Sequence, residues 1–260
     1  MSQKFLNQVA IVTGASRGIG RATALALARE GANLVLAGRT APDLEALVRE
    51  VEALGVSALS VPTDVSVREQ VNKLAQAAFD RWGCVDILIA NAGIYVRKPV
   101  AEMTAEDFER ALAVNFYGVL HAILAVLPGM LQRRRGHIVI LNSLDGKKGL
   151  PPDAPYVASK FALTGLGDVM RQELQGTGVH ITSVFPGRVD TPMIGALKVP
   201  WISSKLSSES VARAIVRAIV KRQTEVVIPF SGYALIYVNM LAPRLADWAV
   251  RRLHLEGWER

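Results

Sequence analysis

The segment Val9-Ala-Ile-Val-Thr13-Gly14-Ala-Ser-Arg17-Gly18-Ile-Gly20, followed by Arg-Ala-Thr-Ala-Leu-Ala-Leu-Ala-Arg-Glu, constrains the fold more than any other. Its apolar start reads as a buried strand, and the Ala/Leu-rich continuation has helical propensity and spacing. Three glycines at the junction let the backbone turn tightly and let a phosphate approach the free amides of the helix N-terminus. A glycine-rich turn alone is an ordinary loop. Here a strand precedes it, a helix follows it, and a second strand-like run stands at 33–37, the context of a dinucleotide site.

The rest of the chain keeps the alternation. Strand-like runs stand at 9–13, 33–37, 58–61, 85–90, 137–141, 180–185 and 225–228, with helical patterns at 21–30, 43–54, 68–82, 105–134, 156–175 and 208–222. Runs apolar on both faces and separated by helices imply a parallel sheet covered on each side. Right-handed crossovers then give an α/β, Rossmann-like, doubly wound fold of seven strands, with ligands at the C-terminal strand edges. With 260 residues, half of them hydrophobic, and no compositional break, a single domain over 1–260 is expected.

The net charge of +7 invites a nucleic-acid reading, but the densest basic clusters are Arg133-Arg134-Arg135, ending a helical pattern, and Arg251-Arg252. Cations at a helix C-terminus complement its dipole, and no aromatic residues interleave with them. Solvated helix ends account for them, so no nucleic-acid partner is expected. The only cysteine, Cys84, permits no intramolecular disulfide and reads as a small buried hydrophobe. With strand one so close to Met1, no signal peptide is expected, and the location reads as cytoplasmic. No His/Cys/carboxylate cluster has metal-ligand spacing, so no metal is expected. The tail from about 229 contains an uncharged but interrupted stretch, too irregular for a transmembrane span. An amphipathic helix over 235–253 is expected, with Arg244, Asp247, Arg251 and Arg252 on its polar side. It packs within the protein or oligomer, or else on a membrane surface.

Tyr156 and Lys160, in Tyr-Val-Ala-Ser-Lys, share one helix face. A phenol has a reference pKa of about 10. An ammonium about 4 Å away, worth roughly 4 kcal/mol at an effective dielectric near 20, would lower it by up to about three. That places its proton within reach of acid-base chemistry near neutral pH.

Thr13-Gly-x-x-x-Gly18-x-Gly20, Asn91-Ala92-Gly93, Asn115, Ser143, Tyr156-x-x-x-Lys160, Pro186-Gly187 and Thr191, in this order, resemble the short-chain dehydrogenase/reductase (SDR) family from about residue 6 to about 194. The resemblance implies an oxidoreductase moving a hydride between a nicotinamide cofactor and a carbonyl or secondary alcohol. It implies catalytic roles for Asn115, Ser143, Tyr156 and Lys160. Tyr156 exchanges the proton and Ser143 holds the substrate oxygen. Lys160 binds the cofactor ribose and lowers the tyrosine pKa, and Asn115 holds a water linking Lys160 to solvent. The implied cofactor contacts are Gly14, Ser16, Arg17, Gly18, Ile19, Gly20, Arg39, Asp64, Val65, Asn91, Ala92, Gly93, Tyr156, Lys160, Pro186, Gly187, Val189 and Thr191. The family's subunit-pairing helices match 105–134 and 156–175, implying a homodimer or homotetramer.

An NAD site usually offers a carboxylate at the end of the second strand. This chain has Leu36-Ala37-Gly38-Arg39-Thr40 there, with glycine in the acid's place. A carboxylate would repel the 2′-phosphate, whereas Arg39 and Arg17 can pair with it, so NADP(H) is favoured over NAD(H). Ser143-Leu-Asp145-Gly146-Lys147-Lys148 is more charged than the resemblance leads one to expect. Lys147 and Lys148 read either as a solvated loop or as part of an anionic substrate site. A lid is expected over about 190–207, where Met193, Ile194, Leu197, Val199, Pro200 and Trp201 imply an apolar pocket for a hydrophobic small molecule. Competing readings are an NAD-using dehydrogenase or epimerase and a non-catalytic nucleotide-sensing regulator. The joint presence of Ser143, Tyr156 and Lys160 argues against a regulator.

Overall fold

The computed structural model describes residues 3–200 and 203–258. Strands β1 (Val9–Thr13), β2 (Asn33–Gly38), β3 (Ala58–Pro62), β4 (Ile87–Ala90), β5 (Gly136–Leu141), β6 (Val179–Pro186) and β7 (Glu225–Ile228) form one sheet. The order is β3-β2-β1-β4-β5-β6-β7, and all the pairings are parallel. Helices α1 (Gly18–Arg29), α2 (Ala41–Glu52), α3 (Arg68–Trp82), α4 (Ala105–Leu112), α5 (Gly118–Gln132), α6 (Ala154–Glu173), α7 (Ser208–Lys221), α8 (Gly232–Leu241) and α9 (Pro243–Arg252) complete the regular structure.

The central strands are buried on both faces, which is why they read as unbroken apolar runs rather than alternating ones. Leu27, Leu44, Leu47 and Ile215 pack with Leu34 and Leu36 on one face, and Leu74, Ile123, Val126 and Leu163 pack with Ile11 and Ile138 on the other. The sheet order reverses between β1 and β4, so a crevice opens at their carboxyl ends.

The pattern at 105–134 predicts one helix, whereas the structure divides it into α4, a π-helical turn over Ala113–Tyr117, and α5. Asn115 lies in that wider turn, fully buried, and its amide bonds across to Ile94 and Ser159. Such turns often mark functional sites. Ala105–Gln132 is long and apolar enough to cross a membrane by length and composition. Val119, Ile123, Val126 and Met130 are nonetheless core residues packed under the sheet.

The helix expected over 235–253 is likewise two. Ala242, just before Pro243, is held at φ −146° and ψ 71°, outside helical space, because proline crowds the residue before it. α9 buries Ala246 and Val250 and exposes Arg244, Asp247, Arg251 and Arg252, as its pattern predicts. The strand expected from 85 begins at Ile87; Asp86 instead accepts the Val9 amide on its carboxylate at 3.0 Å.

Candidate active site

A cavity of about 800 Å³ lies at the carboxyl ends of the strands. Every expected cofactor residue lines it except Gly20. Its inner end is a glycine cradle. Gly14 and Gly18 adopt φ of 65° and 56°, which glycine reaches without strain. A Cβ on Gly20 would come within 2.2 Å of the Gly14 carbonyl oxygen, so the turn closes only without one. Asn91 binds this turn to β4 by donating to the carbonyls of Thr13 and Gly14 at 2.8 and 3.1 Å. The cradle and the exposed helix start fit a dinucleotide pyrophosphate.

Above the cradle, Gly38 ends β2 where a carboxylate would otherwise stand, and a Cβ there would already meet Ser16 Oγ at 3.3 Å. Arg17 and Arg39 are exposed beside it, and neither forms an ion pair among the described residues. Asp64 follows β3 beside Gly38, whose carbonyl accepts the Thr63 amide at 2.8 Å. Hydrogen bonds from Ser66, and secondarily the Arg39 guanidinium, hold its carboxyl below the usual range. Its Oδ1 accepts from the Ser66 amide and hydroxyl at 2.9 and 2.6 Å.

Ser143 follows β5 and caps a short 3-10 turn, while Tyr156 and Lys160 stand one turn apart on α6. All three line the cavity. Lys160 is buried, donates to the Leu141 carbonyl at 2.9 Å, and holds its Nζ 5.5 Å from the centre of the Tyr156 ring. The sequence leads one to expect a lowered phenol pKa. Burial, followed by the Asp145 carboxyl, instead pushes Tyr156 up, although a hydrogen bond with Ser143 works the other way. Desolvation penalises the phenolate, and the carboxyls of Asp145 and Asp153 add to that penalty. Lys160 is itself pulled down to about 8 by burial, with Asp145 acting in the opposite direction.

Asn115 does not reach the cavity. Its Oδ1 accepts from the Ile94 amide at 2.8 Å, and its Nδ2 donates to the Ile94 carbonyl at 3.0 Å and to Ser159 Oγ at 2.9 Å. Ser159 in turn donates to the Tyr156 carbonyl at 2.7 Å. The amide thus braces the loop after β4 against α6 and positions the helix carrying Tyr156.

The structure adds groups that the sequence left unmarked. The Tyr95 hydroxyl donates to Asp153 Oδ2 at 2.6 Å, and its ring meets Tyr156 edge-on, centroids 5.0 Å apart. Asp153 is buried, with Arg97 Nη1 3.5 Å from its Oδ1. Arg97 also donates to the carbonyls of Glu256 and Gly257 at 3.1 and 2.9 Å, and Arg188 donates to the Leu255 carbonyl. These contacts draw the tail across the crevice. Leu235, Val238, Ala249, Leu253 and Leu255 join Met193, Ile194 and Leu197 as an apolar wall. Val199 and Pro200 do not line it, and Trp201 lies outside the described residues. Lys147 pairs with Glu225 at 2.8 Å, and Lys148 lines the cavity but pairs with Asp247 of α9. Neither lysine belongs to a freely solvated loop.

The family model described as short chain dehydrogenase matches residues 8–199. The chain is 40% identical over 190 residues to an uncharacterized oxidoreductase of Listeria monocytogenes, covering 72% of this chain and 77% of that one. A solved short chain dehydrogenase/reductase of Burkholderia phymatum in complex with NAD superposes with a TM-score of 0.86 at 29% identity, over 93% of this chain and 96% of that one. An alcohol dehydrogenase from Thermococcus sibiricus complexed with 5-hydroxy-NADP gives 0.77 at 32% identity, over 85% and 95%. The matched span holds the glycine cradle, Ser143, Tyr156 and Lys160: the chain belongs to the short chain dehydrogenase family of nicotinamide-dependent oxidoreductases.

Proposed function

We propose that the protein interconverts a carbonyl compound and its secondary alcohol, using NADP(H) in preference to NAD(H). The observation that carries this reading is that Ser143, Tyr156 and Lys160 all line the cavity that also holds the glycine cradle. When bound, the nicotinamide supplies or accepts the hydride. The chain's own residues handle the proton and the charge. Burial keeps Tyr156 a phenol at neutral pH, the form needed to donate to a carbonyl oxygen during reduction. Ser143 grips the same oxygen and stabilises the charge that gathers there. Once the phenol has given up its proton, an ammonium on Lys160, whose Nζ lies 5.5 Å from the ring centre, favours the phenolate over the phenol.

Support for NADP(H) comes from Gly38 in place of an acid and from Arg17 and Arg39 beside it, which suit a 2′-phosphate. The related structures hold either cofactor type, so the preference rests on these three residues. The apolar wall suits a hydrophobic substrate. Exposed Tyr117, Leu124 and Leu131 on one long helical stretch and Phe161 and Val169 on α6 support pairing of subunits through those helices. The test is direct: purified protein with NADPH or NADH and a panel of apolar ketones is followed at the reduced-nicotinamide absorbance band. NADPH-dependent turnover supports the reading. Absence of turnover with both cofactors across the panel, despite cofactor binding, favours a regulator.

A further inference from the structure

The tail carries an apolar surface that the folded chain leaves uncovered. In α8 only Gly232 is buried, although the helix contains no charged side chain. Phe230 is 83% exposed and Leu241 79%, the two highest values among the large hydrophobic residues described. Tyr237 and Met240 on α8, and Leu245 and Trp248 on α9, are each more than half exposed. α8 packs against α9, so the six side chains belong to one helical hairpin, and none of them lines the cavity. Single apolar residues at a surface are ordinary, but six gathered on one helix pair mark an interaction site.

Charge identifies what covers it. Arg244 and Arg252 stand four residues from Trp248 and Arg251 stands three, so all three neighbour it on the helix surface, and all three are exposed. The acids of the tail among the described residues are Asp247 and Glu256. Lys148 pairs with the first, and His254 Nδ1 lies 3.6 Å from the second. The apolar surface therefore has a cationic border. A second copy of the chain fits it poorly, because a two-fold contact lays one patch on itself and sets these arginines against their own counterparts. The exposed apolar residues that support subunit pairing lie on other elements, the π turn, α5 and α6. Aromatic and aliphatic side chains flanked by arginine are what a helix needs to lie in a membrane interface, the apolar part at the acyl boundary and the cations at anionic head groups.

We propose that α8 and α9 dock the protein on an anionic lipid bilayer. Phe230, Tyr237, Leu241 and Trp248 enter the interface, and Arg244, Arg251 and Arg252 meet the anionic head groups. No helix spans the bilayer in this arrangement. Leu235 and Val238 of α8, with Ala249 and Leu253 of α9, line the cavity, so docking brings the chamber beside lipid.

The full chain is mixed with vesicles of phosphatidylcholine alone, or of equal parts phosphatidylcholine and phosphatidylglycerol, and bound protein is measured by flotation. Each arginine at an anionic surface is worth about fivefold, so the mixed vesicles should bind about 100-fold more tightly than the neutral ones. Replacing Arg244, Arg251 and Arg252 together by alanine should remove that difference. Leu241→Glu combined with Trp248→Glu should weaken binding to the mixed vesicles by about 100-fold or more. Wild type and this double variant should share one oligomeric state in sedimentation velocity. Absence of binding to the mixed vesicles, equal binding to both kinds, or binding unchanged in either variant overturns the proposal. A lower oligomeric state in the double variant also overturns it, and assigns the face to a second copy. The arginine variant, altered only at exposed positions, keeps the test decisive if the double variant fails to fold. Turnover in vesicle-free buffer bears on the oxidoreductase reading alone, so failure of one leaves the other standing.

Discussion

Ser143 Oγ stands 3.2 Å from Asp145 Oδ2, so the serine that would grip the substrate oxygen is also tied to a carboxyl. Burial, then the neighbouring Asp153, pushes Asp145 up to about 7, against the pull of Arg188, Ser143 and Lys160. An unfolded aspartate titrates near about 3.9. The folded value is raised, so its contribution to stability is complete below about pH 4 and is lost as pH rises to about 7. Asp145→Asn removes this dependence. Calorimetric unfolding should show the variant gaining on wild type by about 3–4 kcal/mol between pH 4 and pH 8. A constant difference over that range contradicts the assignment.

His137 carries the opposite slope. Burial, followed by His180, pushes its imidazole down to about 3. Thr182 Oγ1 donates to the Gln223 carbonyl at 2.5 Å and so accepts from His137 Nε2 at 2.8 Å, which fixes the neutral tautomer. The unfolded residue titrates near about 6.5. Stability present above that pH is lost as pH falls towards 3, on the order of 2–4 kcal/mol. His137→Gln should flatten the acid limb of the stability curve, measured by urea unfolding at pH 4 and pH 7.

On the proposed mechanism, Tyr156→Phe removes the proton passed to the substrate oxygen and leaves the cradle intact. Turnover should fall by about 10²–10⁴-fold, while the NADPH Kd from fluorescence titration changes little. Retained turnover would mean that another group donates the proton.

Cofactor choice is testable at the mouth of the crevice. Replacing Arg17 or Arg39 by alanine removes a charge-assisted contact worth about 1.5–3 kcal/mol. NADPH binding should weaken about 10–100-fold while NADH binding is unchanged. Equal losses for both cofactors would place these arginines elsewhere than on the 2′-phosphate.

The clasp on the tail predicts a split phenotype. Arg97→Ala deletes the donors to the Glu256 and Gly257 carbonyls. Limited proteolysis followed by mass spectrometry should show faster cleavage after about residue 229. KM for apolar ketones should rise several-fold, in line with about 1–3 kcal/mol for each lost charged hydrogen bond. An unchanged cleavage rate would show that other contacts hold the tail.

The sheet and the glycine cradle were legible because their signals are local. β1, the turn through Gly14 and Gly18, and α1 are contiguous, and Tyr156 and Lys160 share a helix face. What stayed hidden depends on distant segments meeting. Tyr95, Asp153 and Arg97 come from two loops, and Arg97 then reaches carbonyls more than 150 residues away in sequence. The sign of the Tyr156 shift was likewise out of reach, because desolvation depends on what encloses a group and not on its neighbour four residues on. The Pro243 break and the π turn at Asn115 illustrate the same point at shorter range. Proline was visible in the sequence, but its effect had to compete with an amphipathic pattern running through it. The Asn115 turn answers to partners on another helix and another loop.

The arginine clasp also bears on how such a protein can diverge. The glycine cradle, Ser143, Tyr156 and Lys160 belong to the sheet edge and α6, whereas much of the chamber's outer wall is lent by residues 231–255. Exchanging that terminal cassette alone could retune what is accepted without disturbing the chemistry.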